Sequence, residues 1–597
     1  LRGVPAQERT PILTPLTPDL LTRFGSWARP YRRSYAAGLA WLIATNALAL
    51  GIPWLLRGAV HDLTAGTTAK RLAAWAGGMI GLAVVQAWAR TISRLLILGS
   101  SRKIAFDVRE AFFAKLLSQD AAFYDRQRTG DLMSRGVNDL QLIQAFYGPG
   151  LLNALNTAIV YVGVLALMLA LDVPLTLVAL ALFPLLYWGV NRLSKKVYAR
   201  SLAVQEQLAA ISDRTQENLS GIQQVKIYAQ EDREIARFRT LSDAFRVKQL
   251  SLARVRGALV SLIGIFTGMG TVLVLFVGGL HVINGRISLG DFVAFNAYLA
   301  QLAWPTVALG WIVNVFQRAA GAMRRLDEVM ASAPAIEPPG AASGSAVPID
   351  GDVEVRGLTF AYEGAIERPA LTDIHLKIPK GSRVAIVGGV GSGKSTLAHL
   401  IAKIYPAPAG TLFVGGEDLA SVPVERVRSG VGFVPQEAFL FSRSLRDNVG
   451  FGRPDAEDAQ IENAVRAARL DGDLPSLPDG LATVVGERGY TLSGGQRQRA
   501  TLARALATDP NVLLLDDALS SVDADTERAI LDALARERRG RTLILISHRL
   551  STLSAVDRIV VLAAGRVVED GTHEALLAQG GVYARLFHRS RIEERLA

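Results

Sequence analysis

The chain of 597 residues contains no cysteine. Disulfides, thiolate metal sites and cysteine nucleophiles are thereby excluded, and a fused cysteine-peptidase domain with them. Charge is also scarce. Asp, Glu, Lys and Arg make up 20% of residues, and 54 acidic side chains face 65 basic ones, for a net charge of +11. No stretch matches a DNA- or RNA-reading motif, so the basic excess is assigned to the inner loops of a membrane protein rather than to nucleic acid. Residues 1–33 carry no apolar h-region and no cleavage signature, so no secretory signal is expected there.

What the chain has in quantity is apolar sequence. Half of its residues are hydrophobic and its mean hydropathy is +0.26, which predicts a large membrane-embedded fraction. Its length predicts at least two domains. Up to about Arg318 long apolar runs dominate; after about Pro334 short strands and helices alternate. Six runs, at 34–56, 70–89, 151–171, 173–191, 257–283 and 292–316, approach the ~20 residues that span a bilayer. No Asp or Glu falls within them and their interiors hold no Lys, so a proton relay or ion pathway is not expected. That points to an external energy source and an uncharged or amphipathic cargo.

Runs three and four are joined by a short turn around Leu171–Pro174, whereas 90–150 and 192–256 are long polar connectors with helical periodicity. The connectors carry Arg90, Arg94, Arg102, Lys103, Arg192, Lys195 and Lys196. By the positive-inside tendency they face the cytoplasm, which puts both termini there. Pro18–Pro30 is amphipathic, with Leu20, Leu21, Phe24 and Trp27 near one face; it is expected as an elbow helix along the inner leaflet, or as an exposed N-terminal helix. The stretch PAIEPPGAASGSAVPID (334–350) reads as a linker. The expected organisation is an N-terminal segment (1–33), a membrane domain (34–330), a linker (331–350) and a soluble domain (351–597).

The soluble domain carries phosphate chemistry. Val384–Val387, expected as a buried strand, is followed by Gly388, Gly389, Val390, Gly391, Ser392, Gly393, Lys394, Ser395 and Thr396, then by the helical pattern LAHLIAKIY. This is G-x-x-x-x-G-K-[ST] in its strand–loop–helix context. Backbone N–H groups of such a loop, with the helix N-terminus, cradle phosphates. Lys394 can reach the outer phosphates and the Ser395 hydroxyl can ligate Mg²⁺. Val512–Asp516 (VLLLD) is a second buried strand whose terminal Asp516 can hold the Mg²⁺ shell.

Between these lie Leu492, Ser493, Gly494, Gly495 and Gln496, followed by RQRATLARAL. LSGGQ resembles the signature of ABC ATPases, and further motifs follow in the family's order. Tyr362 in LTFAY resembles the aromatic that stacks on adenine, Gln436 in FVPQEAFLF the Q-loop, Glu487 in VGERG the acidic loop before the signature, Asp523 in SSVDADTE the D-loop, and His548 in ISHRLSTL the switch histidine. FYDRQRTGDLMSRGVNDL (123–140), including Phe123, Tyr124 and Asp125, and ENLSGIQQVKIYAQEDRE (217–234) resemble the cytoplasmic loops of ABC exporters, and GRISLGDFVAF (285–295) the turn into the last span. Singly, Tyr362 is also readable as a strand aromatic, His548 as a structural strand end and Gln436 as a surface turn.

The resemblance implies the type IV exporter fold: an all-α six-helix transmembrane domain with long cytoplasmic extensions, followed by an α/β P-loop ATPase domain. It implies ATP and Mg²⁺ as cofactors. The Ser493–Gln496 segment would cover a nucleotide held by another domain, and the chain has one phosphate loop, so a dimeric partner is expected. Nucleotide-driven closure would pass to the membrane domain around Phe123–Arg126 and Ser212–Gly221. One residue departs from the family's pattern: Asp517 stands where Glu usually acts as catalytic base. A base must reach its proton, and this arm is one methylene shorter. A heterodimer with one weak site is favoured over a tolerant homodimer. The expected function is ATP-driven export or flipping of a small molecule, lipid or peptide across a bacterial inner membrane; an importer on the same fold and a nucleotide-gated regulator are the alternatives. Gln301, Trp304, Trp311 and Asn314 of the last span either line a cavity or pack and anchor the helix.

Overall fold

A computed structural model describes residues 18–337 and 347–596, apart from 364, 366, 487, 488, 538, 539, 548, 550–552, 554 and 555. It divides into two compact units, one of residues up to Phe112 with Ser134–Glu328, the other of Phe113–Met133 with Val329 onward.

The first unit is helical. Among the described residues, six helices are long and apolar enough to cross a membrane: Thr22–Thr64, Ala69–Leu117, Thr129–Leu171, Val173–Ser220, Glu231–Ile283 and Leu289–Ala331. The shortest has 43 residues. At 1.5 Å per residue that is about 65 Å, twice the ~30 Å of a hydrocarbon core. Each apolar run is thus one part of a longer rod, and the polar connectors are its continuation. Lys70 and Arg71 stand in the first turn of the second rod, at the edge of the second run. Further along that rod, Ile80, Val84 and Trp88 stand one turn apart on an exposed apolar stripe suited to lipid.

The polar continuations are held by ion pairs. Arg214 lies between Glu217, at 2.6 Å, and Glu234. Arg325 donates two hydrogen bonds to the buried carboxylate of Asp139, at 2.9 and 2.5 Å. The third rod is interrupted by π-turns at Arg135–Asp139 and Phe146–Gly150. The second contains Pro149, which has no N–H for the helical ladder. The third and fourth rods are joined through Asp172, which caps the next helix by accepting from the Leu175 N–H at 2.7 Å. Around this turn Met168, Leu175, Val274, Phe295 and Leu302 form a buried cluster, and the buried Tyr298 donates to the Leu50 carbonyl at 2.9 Å. The fourth rod ends at Ser220. Gly221 then leads into a short helix, Ile222–Ile227, so the expected contact stretch Ser212–Gly221 is the tip of a rod and the turn follows it.

The second unit contains two sheets. Strands β1 (Val353–Phe360), β2 (Leu371–Ile378), β4 (Leu412–Val414) and β5 (Glu417–Asp418) form an antiparallel sheet in the order β2-β1-β4-β5. The other sheet, in the order β10-β9-β3-β8-β7-β6, is made of β3 (Arg383–Gly388), β6 (Val431–Val434), β7 (Val512–Asp516), β8 (Thr542–Ile546), β9 (Arg558–Ala563) and β10 (Arg566–Gly571). It is parallel except for β10 at its edge. Strands β7 and β8 are buried at every position, as a sheet covered on both faces requires. The ends of β3 and β7 carry Gly388 and Asp516, and Asp516 is paired with Ile546 of β8. Ligands of parallel sheets bind at these carboxyl ends.

Residues 113–133 lie inside the stretch 34–330 read as membrane domain, yet they pack with the second unit. Their centre is the short helix Ala121–Arg126. Asp120 caps it by accepting from Phe123 N–H at 3.0 Å, and its other oxygen accepts from Ala335 N–H at 2.6 Å. Phe123 is buried beneath it.

The Asp139–Arg325 pair generates one prediction. Asp139→Ala leaves a half-exposed guanidinium without its bidentate acceptor, a loss of about 2 kcal/mol for charge-assisted hydrogen bonds. Thermal inactivation of the detergent-solubilised protein is expected several degrees lower; an unchanged midpoint would mean that the pair contributes nothing.

Candidate functional site

The phosphate loop begins where β3 meets β9. A side chain on Gly388 would stand 2.2 Å from the Leu562 carbonyl oxygen, so glycine is required by the close approach of the two backbones. Gly393 has φ +98°, a left-handed conformation, and a Cβ there would lie 2.6 Å from the Ala370 carbonyl. Between them Gly389, Val390, Gly391 and Ser392 form the loop, with Val390 fully exposed at its tip and Ser392 buried. The helix Lys394–Ile401 follows, and its first N–H groups have no partner within the helix. A loop ending on such a terminus favours an anion.

Lys394 folds back over this loop. Its Nζ donates to the carbonyls of Gly388 at 2.9 Å and Gly389 at 2.8 Å. Burial pushes the ammonium below the ordinary lysine range, while the charges of Asp516 and Asp517 act against that shift. Asp516 ends β7, nearly inaccessible to solvent. Burial pushes its carboxyl above the usual carboxylate range, opposed by a hydrogen bond from Ser395 and by the charges of His399 and Lys394. An ammonium and a carboxylate, both costly to bury, thus lie within each other's field at the mouth of the loop. Asp517 follows at φ +50° and donates its N–H to the Ile546 carbonyl at 2.9 Å. Aspartate tolerates this conformation better than most side chains.

The oxygen donors of Ser395 and Asp516 suit a hard divalent cation. Among the described residues no group of three or more His, Cys, Asp or Glu could hold a metal by itself.

Tyr362 is brought to the same place from beyond β1. Its hydroxyl donates to Thr396 Oγ1 at 3.1 Å, so the ring stands beside the first turn of the phosphate-loop helix. Its edge meets the ring of Tyr405, with centroids 5.1 Å apart. Tyr405 in turn donates its hydroxyl to Asp125 Oδ2 at 2.6 Å, and burial and that carboxylate push the phenol well above its ordinary range. Arg126 pairs with Glu363, the neighbour of Tyr362. The short helix Ala121–Arg126 is therefore tied at two points to the aromatic edge of the site. Tyr124 is exposed and donates to the Leu116 carbonyl at 2.7 Å, within its own segment. Gln436 is exposed two residues past β6, whose Val434 pairs with Leu515, so it emerges at the same sheet end as Asp516.

The signature segment forms a second cluster. Ser493 caps the helix Gly494–Ala507 reciprocally with Gln496: Gln496 N–H donates to Ser493 Oγ at 3.2 Å, and Ser493 N–H to Gln496 Oε1 at 2.9 Å. A Cβ on Gly495 would lie 2.9 Å from the Ser521 carbonyl, so glycine allows the helix to abut the segment after β7. The buried Gln498 fastens this contact, donating to Ser520 Oγ at 2.9 Å and accepting from Ser521 N–H at 2.7 Å. Arg499 pairs with Asp473. Asp523 accepts from Thr526 N–H at 2.9 Å in the first turn of the helix Ala524–Glu537, and this bond holds its carboxyl below the usual range. Glu487 and His548 lie outside the described residues.

Tyr405, Glu363 and Gln498 are not singled out by sequence patterns. Tyr405 and Asp125 are 280 positions apart, and nothing local to either announces the other. Gln498 had one available signal, a long polar side chain on the largely apolar buried face of its helix.

Comparison with known proteins gives two family matches. Residues 36–306 match the ABC transporter transmembrane region and residues 371–520 the ABC transporter domain. The chain is 31% identical over 576 residues to a probable multidrug resistance ABC transporter ATP-binding/permease protein, YheI, of Bacillus subtilis, covering 96% of this chain and 98% of that one. It is 30% identical over 586 residues to the ATP-dependent lipid A-core flippase of Syntrophus aciditrophicus, covering 96% and 95%. The solved structure of a bacterial Atm1-family ABC exporter with ATP bound superposes with a TM-score of 0.79 at 26% identity, over 94% of this chain and 99% of that one.

The loop geometry generates a prediction. Gly393→Ala combines left-handed strain with a close contact to Ala370 and is expected to cost about 2–4 kcal/mol. Binding of a fluorescent ATP analogue should fall at least tenfold; retained affinity would show that the loop relaxes freely.

Proposed function

The chain belongs to the ABC transporter family, as a half-transporter with membrane region and ATP-binding domain fused, and on that premise we propose that it exports or flips an amphipathic or hydrophobic molecule across a bacterial inner membrane. The observation that carries this reading is the continuous contact from Asp516, Ser395 and Lys394 at the phosphate loop, through Tyr362 and Tyr405, to Asp125. A phosphate site and a segment continuous with a membrane-crossing rod share one compact unit.

The roles follow from the chemistry. The N–H groups of Gly389–Thr396 cradle the phosphates, and Lys394 turns from the loop carbonyls to the outer phosphates. Tyr362 offers a ring face to adenine. Asp516, Ser395 and Gln436 would hold Mg²⁺, which when bound neutralises phosphate charge. Asp517 and His548 orient the attacking water and the terminal phosphate. Ser493–Gln496 present a capped helix N-terminus and Asp523 a carboxylate to a nucleotide held by a second domain, so the working unit is a dimer. Phe123, Tyr124 and Asp125 on one loop, and Glu487 on another, carry closure to the membrane rods.

Asp517 favours a heterodimer in which this chain's phosphate loop belongs to the slower site and its LSGGQ completes the partner's faster one. It also favours, as a second reading, a nucleotide-gated regulatory subunit. The cargo class rests on membrane spans without acidic residues, on the multidrug and lipid A-core relatives, and on the exposed Trp304 and Trp311 of the last span.

Two measurements test this. The chain expressed alone is expected to turn over ATP slowly in nanodiscs, and Asp517→Glu to accelerate it by about 10²-fold, the lower range for a well-placed base. Robust turnover by the unmodified chain alone, with no gain from Glu, removes the heterodimer reading. Tyr405→Phe deletes the hydroxyl that holds Asp125. It is expected to leave ATP affinity within about twofold while ATP-driven transport in vesicles falls about tenfold, near the cost of one charge-assisted hydrogen bond. Equal losses in binding and transport would mean that Tyr405 serves the nucleotide site alone.

A further inference from the structure

The helix Pro18–Ala28 and the start of the first rod enclose a groove that the transport cycle does not use. The groove has a volume of about 730 Å³, and its floor is formed by Phe24, Phe146, Tyr147 and Leu151. The polar groups of that floor are already satisfied. Tyr147 donates to the Phe24 carbonyl at 2.6 Å, and Tyr35 to the Tyr147 carbonyl at 2.9 Å. The Phe24 and Phe146 rings lie 4.2 Å apart. What remains for an occupant is a firm apolar surface.

The rim is of opposite character. Arg29 and Arg32 border this groove, and with Arg33 and Ser26 they line a smaller one of about 460 Å³. Among the described residues no acidic side chain lines either groove. Two nearby acids are engaged elsewhere: Asp107 accepts from Tyr31 at 2.8 Å, and Asp327 pairs with Arg23 at 2.8 Å. Among the described residues Arg29, Arg32 and Arg33 form no ion pair with the protein, and all three are exposed. Three uncompensated guanidiniums above an apolar slot lie immediately before the first apolar run.

We infer that this groove binds one anionic phospholipid of the inner leaflet, with its phosphate on Arg29, Arg32 and Arg33 and part of an acyl chain on Phe24, Phe146, Tyr147 and Leu151. The inference rests on the reading that the first rod crosses the membrane with its basic end inward. Charge selects the lipid class, because guanidinium forks match phosphate oxygens and a zwitterionic headgroup carries a compensating cation. The slot selects lipid over free phosphate, since burial of a chain adds about 0.8 kcal/mol per methylene. A lipid so held would fasten the amphipathic helix to the third rod, where Phe146 begins a π-turn.

The test uses the full-length dimer, mixed with phosphatidylglycerol or phosphatidylcholine and examined by native mass spectrometry. The unmodified protein is expected to retain phosphatidylglycerol at least about tenfold better, given the attraction of anionic lipid for each basic residue. R29Q/R32Q/R33Q is expected to lose that preference, R29K/R32K/R33K to keep most of it, and millimolar inorganic phosphate to displace nothing. Equal retention of the two lipids by the unmodified protein overturns the inference, as does a preference undiminished in the Gln variant. Displacement by phosphate overturns it in favour of a free-anion site. Should the Gln variant fail to accumulate, the preference of the unmodified protein and its resistance to phosphate decide. ATP turnover, measured in parallel, reports the proposed transporter independently. Turnover intact without lipid preference defeats only the lipid site, whereas absent turnover with the preference intact bears on the function alone.

Discussion

A bilayer core offers no water to a peptide group, and the rest of this molecule is arranged around that constraint. Each crossing segment must satisfy its own N–H and C=O groups, so each is a helix. The same helices run on for dozens of residues beyond what a bilayer needs. A rod that is continuous from lipid to water needs no hinge at the boundary, and movement at its polar end is felt at its apolar end. The interruptions are local, among them the 3-10 turn at Arg29–Tyr31, the π-turns at Arg135–Asp139 and Phe146–Gly150 and the break before Phe183.

The second unit works under another economy. It buries an ammonium and a carboxylate close together at the ends of parallel strands, an arrangement disfavoured by solvation until a charged ligand arrives. The cost is carried by the two hydrophobic clusters on either face of the sheet, in which β3, β7 and β8 are almost wholly apolar. The loop itself adds little to stability. Two of its glycines let backbone pass close to backbone, at Leu562 and at Ala370, and the second also takes a left-handed conformation.

Much of this is legible in sequence because the informative residues are contiguous. VLLLD is a strand over the very residues read as one, and the run from Gly388 to Thr396 carries the end of a strand, the loop and the first turn of a helix. The helix ends at Ile401, before the pattern LAHLIAKIY does, because Lys403 takes a positive φ. The rods are longer than the apolar runs because hydropathy marks the lipid-facing part and not the end of the helix. The resemblance implies a contact around Phe123–Arg126, but the extent of the segment, 113–133, and the residues that hold it are not legible. Its local pattern continues a helix, and the contacts that tie it to the other unit are all long-range: Tyr405 to Asp125, Arg126 to Glu363 and the Ala335 N–H to Asp120. Asp139 and Arg325 likewise find each other across 186 residues. Long-range polar pairing leaves no periodicity behind.

That same placement sets an order in time. Asp125 leaves the ribosome 280 residues ahead of Tyr405. At about 5–20 residues per second, roughly 14–56 seconds pass before its hydrogen-bond donor exists. During that interval Asp125 and Arg126 lack their partners Tyr405 and Glu363. The loop must stay accessible while four further rods are inserted, and it docks only after the nucleotide-binding unit has formed around it. The short helix Ala121–Arg126 thus completes its contacts only with the ATP-binding unit, although it is synthesised before most of the membrane rods.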